Sequence, residues 1–175
     1  MTSYGYPAYI DIADKRYRER FGLDFEDFVV GQRFRHRPGY TFTQQDNSDE
    51  CKDTLNQAML HFDAHYTSHT EFKQPLMVTT VIVQRLIGMM WKTFQRRKRI
   101  LGWGRIDMLA PVFAGDTLYA ESEIMTLNTH TDDPECGGMT VCVRSYNQHG
   151  KLTCEMSCDM LVYKAASLPF AANNY

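Results

Sequence analysis

The stretch from Pro75 to Arg97 constrains this chain more than any other. Leu76, Thr80, Val83, Ile87, Met90 and Phe94 recur at three- and four-residue steps, which predicts a helix over 75–97. Val78, Val81, Ile82, Leu86 and Met89 lie on its other faces, so the helix is apolar most of the way round. Such a helix must be buried, not merely docked on a surface. Gln95-Arg96-Arg97-Lys98-Arg99 reads as its cationic last turn, which complements the helix dipole.

What covers that helix is written just downstream, where the apolar period changes to two. Ile100 to Leu109 reads as a strand. Leu118, Ala120, Ser122 and Ile124 alternate with Thr117, Tyr119, Glu121 and Glu123. Met139, Val141 and Val143 form a similar row. So do Leu152, Cys154, Met156, Cys158, Met160 and Val162. Asn147-Gln148-His149-Gly150 is a short turn that joins the last two strands into a hairpin. Thr129 to Gly138 reads as a longer loop. One buried helix and several antiparallel strands predict an α+β domain, a curved sheet wrapped around the helix.

Upstream, Asp14 to Phe21 is charged and reads as a short helix, followed by a small apolar face at Phe25, Phe28 and Val29. Gln32 to Thr43 is strand-like and broken by Pro38-Gly39. Thr43 is a good helix N-cap with Asp46 three residues on, which predicts a helix over 44–58 and a shorter one over 62–69. The 175 residues fit one domain, with 1–30 an attached segment and 165–175 a tail without periodicity.

Composition excludes several classes. The net charge is −2, and no stacking motif accompanies the one basic run, so neither nucleic acid nor an anionic membrane is an expected partner. The longest apolar run, Leu76 to Val83, is far short of the roughly 20 residues a bilayer crossing needs. Five cysteines, an odd number without a CxxC pair, and a start without a secretory pattern suit free thiols in the cytoplasm. Cys154 and Cys158 share a buried strand face with Met156 and Met160. His65 and His69 are four apart, but no third ligand is evident, so no metal is expected. His36, His65, His69, His130 and His149 all read as loop or solvent-facing residues.

The residues that could do chemistry lie in Asn56-Gln57-Ala58-Met59-Leu60-His61-Phe62-Asp63. Several segments resemble, in order, the MaoC-like dehydratases, hotdog-fold hydro-lyases that act on acyl thioesters. The resemblance covers about residues 24–164 and is closest to the branch that includes mesaconyl-CoA hydratase. It rests on Phe25 to Phe34, Thr41-Phe42-Thr43-Gln44-Gln45-Asp46-Asn47, Asn56 to Asp63 and Phe72-Lys73-Gln74-Pro75-Leu76. Gly102-Trp103, Pro111 to Leu118 and Asn147-Gln148-His149-Gly150 complete it.

That resemblance implies a hotdog fold, a homodimer, and reversible hydration of a 2-enoyl thioester of coenzyme A or a carrier protein. Coenzyme A or phosphopantetheine enters only as part of the substrate, with no separate cofactor. A short or branched acyl group, mesaconyl-like with a second carboxylate, follows from the branch. Hydration needs a base to activate water for attack at C3, an acid for C2, and donors for the thioester oxygen. The resemblance implies His61 as the acid/base group and Asn56 as its partner on the water. The backbone at Val78 and Thr79 is the implied oxyanion donor.

Two departures stand out. R-specific enoyl-CoA hydratases carry an aspartate at the position of Asn56, and an amide cannot take a proton. Asp63 and Asp46 are therefore auxiliary acid/base candidates. The common His-Gly of the oxyanion segment is Val78-Thr79 here. Arg96, Arg97 and Arg99 are candidates for the phosphates of the carrier, and Arg85 or the same run for a second substrate carboxylate. Two rival readings are a hotdog thioesterase and a non-catalytic acyl-thioester-binding module.

Overall fold

The computed structural model describes residues 7–129 and 131–173; His130 and the first six residues lie outside the described part. A five-stranded antiparallel sheet runs in the order β3-β5-β6-β7-β4. Its strands are β3 (Arg33–Thr41), β4 (Arg97–Met108), β5 (Thr117–Asn128), β6 (Cys136–Tyr146) and β7 (Leu152–Tyr163). The sheet curves around helix α3 (Thr79–Phe94).

The alternation predicted for β5 to β7 is the reason. Leu118, Ala120, Ile124, Val141, Val143, Cys154, Met156, Cys158, Met160 and Val162 are all buried, and they pack with Val81, Ile82, Leu86, Met90 and Phe94 of α3. Burying one fully apolar side chain contributes roughly 1.5–3 kcal/mol, so this single interface dominates the stability. The outer face of the sheet is polar. Arg144 bridges Glu123 at 2.8 Å and Glu155 at 2.6 Å, and Arg35 meets Glu121 at 3.0 Å. All five cysteines are buried and unpaired. Gly137 on β6 leaves room for the Phe25 ring, whose atoms would lie 2.3–2.4 Å from any Cβ placed there.

Three expectations need correction. Residues 14–21 are not a helix. Arg16–Glu19 is strand β2, paired antiparallel with β1 (Tyr9–Ala13). Eight residues of which six are charged, without an apolar face, cannot hold a helix in water, and the upstream partner strand is invisible to a local window. The basic run is not a helix end either. α3 stops at Phe94, and Arg97, Lys98 and Arg99 begin β4, which is drawn out by pairing with β7. The aperiodic tail contains a short helix, α4 (Leu168–Asn173), whose Phe170 ring meets Tyr163 edge-on and lies over the Arg96 guanidinium.

Nor is α3 buried all round. Trp91 is 49% exposed, while Gln84, Gly88 and Lys92 also face outward. The two shorter helices are α1 (Gln44–Asp53) and α2 (Ala64–Ser68). Thr43 caps α1 through a reciprocal box with Asp46. α1 ends earlier than predicted because Leu55 takes a left-handed conformation, φ 55°, and Asn56 starts a turn. Among the described residues no helix is long and apolar enough to cross a membrane.

His36 is a further correction. It lies on β3, is 4% exposed, and shares a 2.8 Å hydrogen bond with Ser122. Thr93 approaches its other ring nitrogen at 3.5 Å. Burial, and secondarily the adjacent Arg37 charge, lower its pKa from 6.5 to about 4. The folded chain therefore holds a neutral ring where the unfolded chain binds a proton. This contribution to stability is complete above about pH 6.5 and is lost as pH falls from there towards 4. At about 1.4 kcal/mol per pH unit the loss approaches ~3 kcal/mol. Urea melts at pH 7.5 and 4.5 should show it. His36→Gln should flatten this part of the profile; an unchanged slope would count against the assignment.

Candidate active site

Three segments meet at the start of α3. α1 contributes one side, the 3-10 turn Met59–His61 a second, and the extended run Leu76–Val78 a third. The run is stitched on both flanks. Leu76 N–H donates to Leu60 O at 3.0 Å, and Met77 N–H donates to Val112 O at 2.9 Å.

His61 closes the 3-10 turn and is half-buried. Its Nδ1 lies 2.8 Å from the carbonyl oxygen of Leu76. A carbonyl can only accept, so Nδ1 carries the proton of the neutral ring. Nε2 is then the basic nitrogen, and it has no partner among the described residues. This is the arrangement an acid/base histidine needs: one nitrogen held by the scaffold, the other free.

Asn56 is half-buried five residues earlier. Its Oδ1 accepts from Ala58 N–H at 3.0 Å, which shapes the turn into His61. Its Nδ2 has no partner among the described residues and remains available to a water or substrate oxygen. The turn role and the substrate role are therefore compatible.

Val78 and Thr79 separate in function. Val78 N–H is taken by Asn47 Oδ1 at 2.8 Å. Thr79, the first residue of α3, is exposed, and its N–H has no partner among the described residues. The first N–H groups of a helix lack intrahelical acceptors and carry its positive end, so of the two residues Thr79 is the one with an N–H free to donate.

The auxiliary carboxylates are both engaged. Asp63 caps α2, accepting from Tyr66 N–H at 2.8 Å. Asp46 accepts from Tyr40 Oη at 2.5 Å, Arg85 at 3.2 Å, and both the N–H and hydroxyl of Thr43. Burial alone would raise its pKa, but the hydrogen bonds from Thr43, Tyr40 and Arg85 outweigh it and hold the carboxyl at about 2. A carboxylate so acidic is a poor proton acceptor at neutral pH. Arg85 is tied to Asp46 and lies 4.9 Å from the Tyr40 ring centre, while its buried Nε has no partner among the described residues.

The basic run does not converge. Arg96 is buried against Asp24 at 2.6 Å, an ion pair too bent for a hydrogen bond, and under Phe170. Arg97 covers the Trp91 ring at 4.4 Å, and Lys98 pairs with Asp133 at 2.5 Å. Arg99 is exposed and has no partner among the described residues. His65 and His69 face each other at 5.0 Å between ring centres, and His69 Nδ1 bonds to His65 O. Among the described residues no three His, Cys, Asp or Glu side chains converge.

Two site features escaped the sequence reading. One is the buried pair Asn47 and Glu50 on the face of α1 that meets α3. Glu50 accepts from Thr80 Oγ1 at 2.5 Å and Gln84 at 3.2 Å. Asn47 ends the Thr41–Asn47 motif that carries the resemblance, but nothing in the sequence marks it or Glu50 as buried. The other is an apolar recess of about 280 Å3 at the start of α3, lined by Phe72, Leu76, Thr79, Ile82, Met108 and Val112 among others. It takes in the free Thr79 but not His61, which lies at the far end of the Leu76 carbonyl. A larger groove of about 620 Å3 runs along the outward face of α3 beside Trp91 and Arg85. It includes neither His61, Asn56 nor Thr79.

The family model described as mesaconyl-CoA hydratase matches residues 4–162, so the matched span includes the β1–β2 hairpin. No curated protein matches. Among solved structures, the chain is similar to a MaoC-like dehydratase from Rhodospirillum rubrum. That match has 16% identity and TM-score 0.74, and covers 83% of this chain and 100% of that one. It is similar to the R-hydratase PhaJ1 from Pseudomonas aeruginosa, with 18% identity, TM-score 0.66, and 85% and 94% of the two chains covered. A Mycobacterium tuberculosis protein with a double hotdog fold matches at 20% identity and TM-score 0.75. There the match covers 84% of this chain and 46% of the other, about one of its two halves. At these identities the likeness establishes the hotdog fold alone.

Proposed function

The chain belongs to the mesaconyl-CoA hydratase family, within the MaoC-like hydro-lyases, and on that footing we propose that it reversibly hydrates a short or branched 2-enoyl thioester. The observation that carries the proposal is the pairing of a histidine with a free Nε2 and a helix start with a free Thr79 N–H. In the forward direction His61 Nε2 takes a proton from water while the water oxygen bonds to C3. The C2–C3 electron pair moves towards the thioester, whose oxygen gains charge and is met by Thr79 N–H. The imidazolium then returns a proton to C2. Asn56 Nδ2 orients the water without exchanging protons with it. The engaged state of Asp46 and Asp63 favours this single-histidine route over one with a second carboxylate.

The recess beside Thr79 supports the acyl-chain assignment, since about 280 Å3 of apolar space suits a short chain. Arg99 is the member of the basic run that stands free for a carrier phosphate. A thioesterase would need a carboxylate to activate water against the carbonyl carbon, and neither candidate aspartate is available. The deciding assay offers crotonyl-, mesaconyl- and a saturated acyl-CoA. Loss of enoyl absorbance without thiol release is expected. Thiol release with the enoyl absorbance retained would overturn the reading.

We also take the working unit to be a cytoplasmic homodimer. Strand β4 is a sheet edge, and Leu101, Trp103, Ile106 and Met108 along it are 37–53% exposed. A long apolar edge left unpaired invites association. Light scattering should give twice the 20.3 kDa chain mass; a monomer at micromolar concentration would sink this part.

A further inference from the structure

The side chain of Asn47 makes three hydrogen bonds to backbone groups of the site. Its Nδ2 donates to His61 O at 2.6 Å and to Leu76 O at 3.0 Å. Its Oδ1 accepts from Val78 N–H at 2.8 Å. The residue is fully buried, so these bonds are made without competing water. Two of the three groups belong directly to the chemistry. His61 O is the backbone of the base, and Leu76 O is the acceptor that fixes its Nδ1 proton. The third, Val78 N–H, precedes the free Thr79 donor by one residue.

We propose that Asn47 is a positioning residue that sets the distance and angle between His61 Nε2 and the Thr79 N–H. Asn47 does not touch the substrate; it acts through those two groups. The proposal rests on the hydratase reading for its consequence in rate, but not for its consequence in the free protein.

An amide is the group this position demands. Two carbonyls need donors and one N–H needs an acceptor, and only Asn supplies both from one short side chain. Aspartate would keep the acceptor for Val78 and turn an oxygen towards two carbonyls. Gln44, which is half-buried, adds a second donor to His61 O at 2.9 Å. It is a milder site on the same clamp. The clamp also explains why Val78 does not serve as the oxyanion donor: its N–H is spent on holding the segment.

The test uses the full chain with Asn47→Asp and Gln44→Ala. Folding is checked first by circular dichroism. The ring tautomer of His61 is then read in the free protein by long-range proton–nitrogen correlation, and kcat and KM are measured on the enoyl thioester found active. In the wild type a single Nδ1–H tautomer is expected. Folded Asn47→Asp should show mixed tautomers, a fall in kcat of roughly 100-fold, as an ångström-scale misplacement gives, and a KM changed by no more than a few-fold.

Gln44→Ala should move kcat in the same direction by a few-fold. A folded Asn47→Asp with wild-type tautomer or wild-type kcat overturns the proposal. If Asn47→Asp does not fold, Gln44→Ala decides, and an unchanged tautomer and kcat count against it. If the wild type hydrates nothing, the tautomer measurement still stands, so the two readings fail separately.

Discussion

His61→Ala is expected to lower kcat/KM for enoyl-thioester hydration by about a thousandfold, with most of the loss in kcat. General acid–base catalysis by a positioned side chain contributes roughly 100- to 10,000-fold. On the proposed route one ring serves both proton transfers, because Asp46 is held at about pKa 2 and Asp63 is spent as a helix cap. The loss should fall on kcat because the ring acts on the water and C2, not on the bulk of the ligand. The fold should survive. The substitution removes one hydrogen bond from a half-buried side chain, about 1 kcal/mol. Activity within tenfold of the wild type would mean that another group carries the protons.

The largest loss of stability is expected from Phe94→Ala. Phe94 is completely buried at the C-terminal end of α3. It stacks on Phe28 with ring centres 5.5 Å apart and meets Phe34 edge-on at 6.3 Å. Phe-to-Ala changes in cores cost about 3–5 kcal/mol, part transfer and part cavity. For a domain of this size that lowers Tm by roughly 10 °C, read by calorimetry at fixed protein concentration. A drop under about 3 °C would show that the cluster closes over the gap. Because α3 spans 16 residues, or about 22 Å, the folded variant should keep its kcat. The pair of substitutions thus separates the proposed chemistry, on the turn beside the start of α3, from the cohesion at its finish.

The sheet and its central helix are legible in the sequence because β5, β6 and β7 each present one face to a single core, and alternation records that directly. Ser122 sits correctly in the apolar row of β5 although it is polar, since it bonds His36 inside. The same fact explains the misreading of His36: a buried histidine looks like a surface one until its partner, 86 residues away, is known. The N-terminal hairpin was missed for a related reason, as charged strands carry no periodic signal of burial.

At the candidate site, the Asn56-to-His61 spacing reflects a local arrangement, since both residues lie along one short turn. The Val78-Thr79 pair was located but not resolved, for only the tertiary bond from Asn47 shows which N–H is free. That bond spans 31 residues, and the two donor bonds of Asn47 span 14 and 29. No local rule reports them. The arginines illustrate the converse: a compact run in sequence is dispersed once strand pairing turns successive side chains to opposite faces.

The partner that fixes the His61 proton is a main-chain carbonyl, while the side chain of the same residue, Leu76, lines the apolar recess. Proton placement is thereby independent of residue identity at position 76. Under the proposed hydratase reading acyl-chain preference is not, so substitutions there would retune which thioester is accepted without touching the His61 tautomer. One residue would then give the scaffold a separable control of specificity.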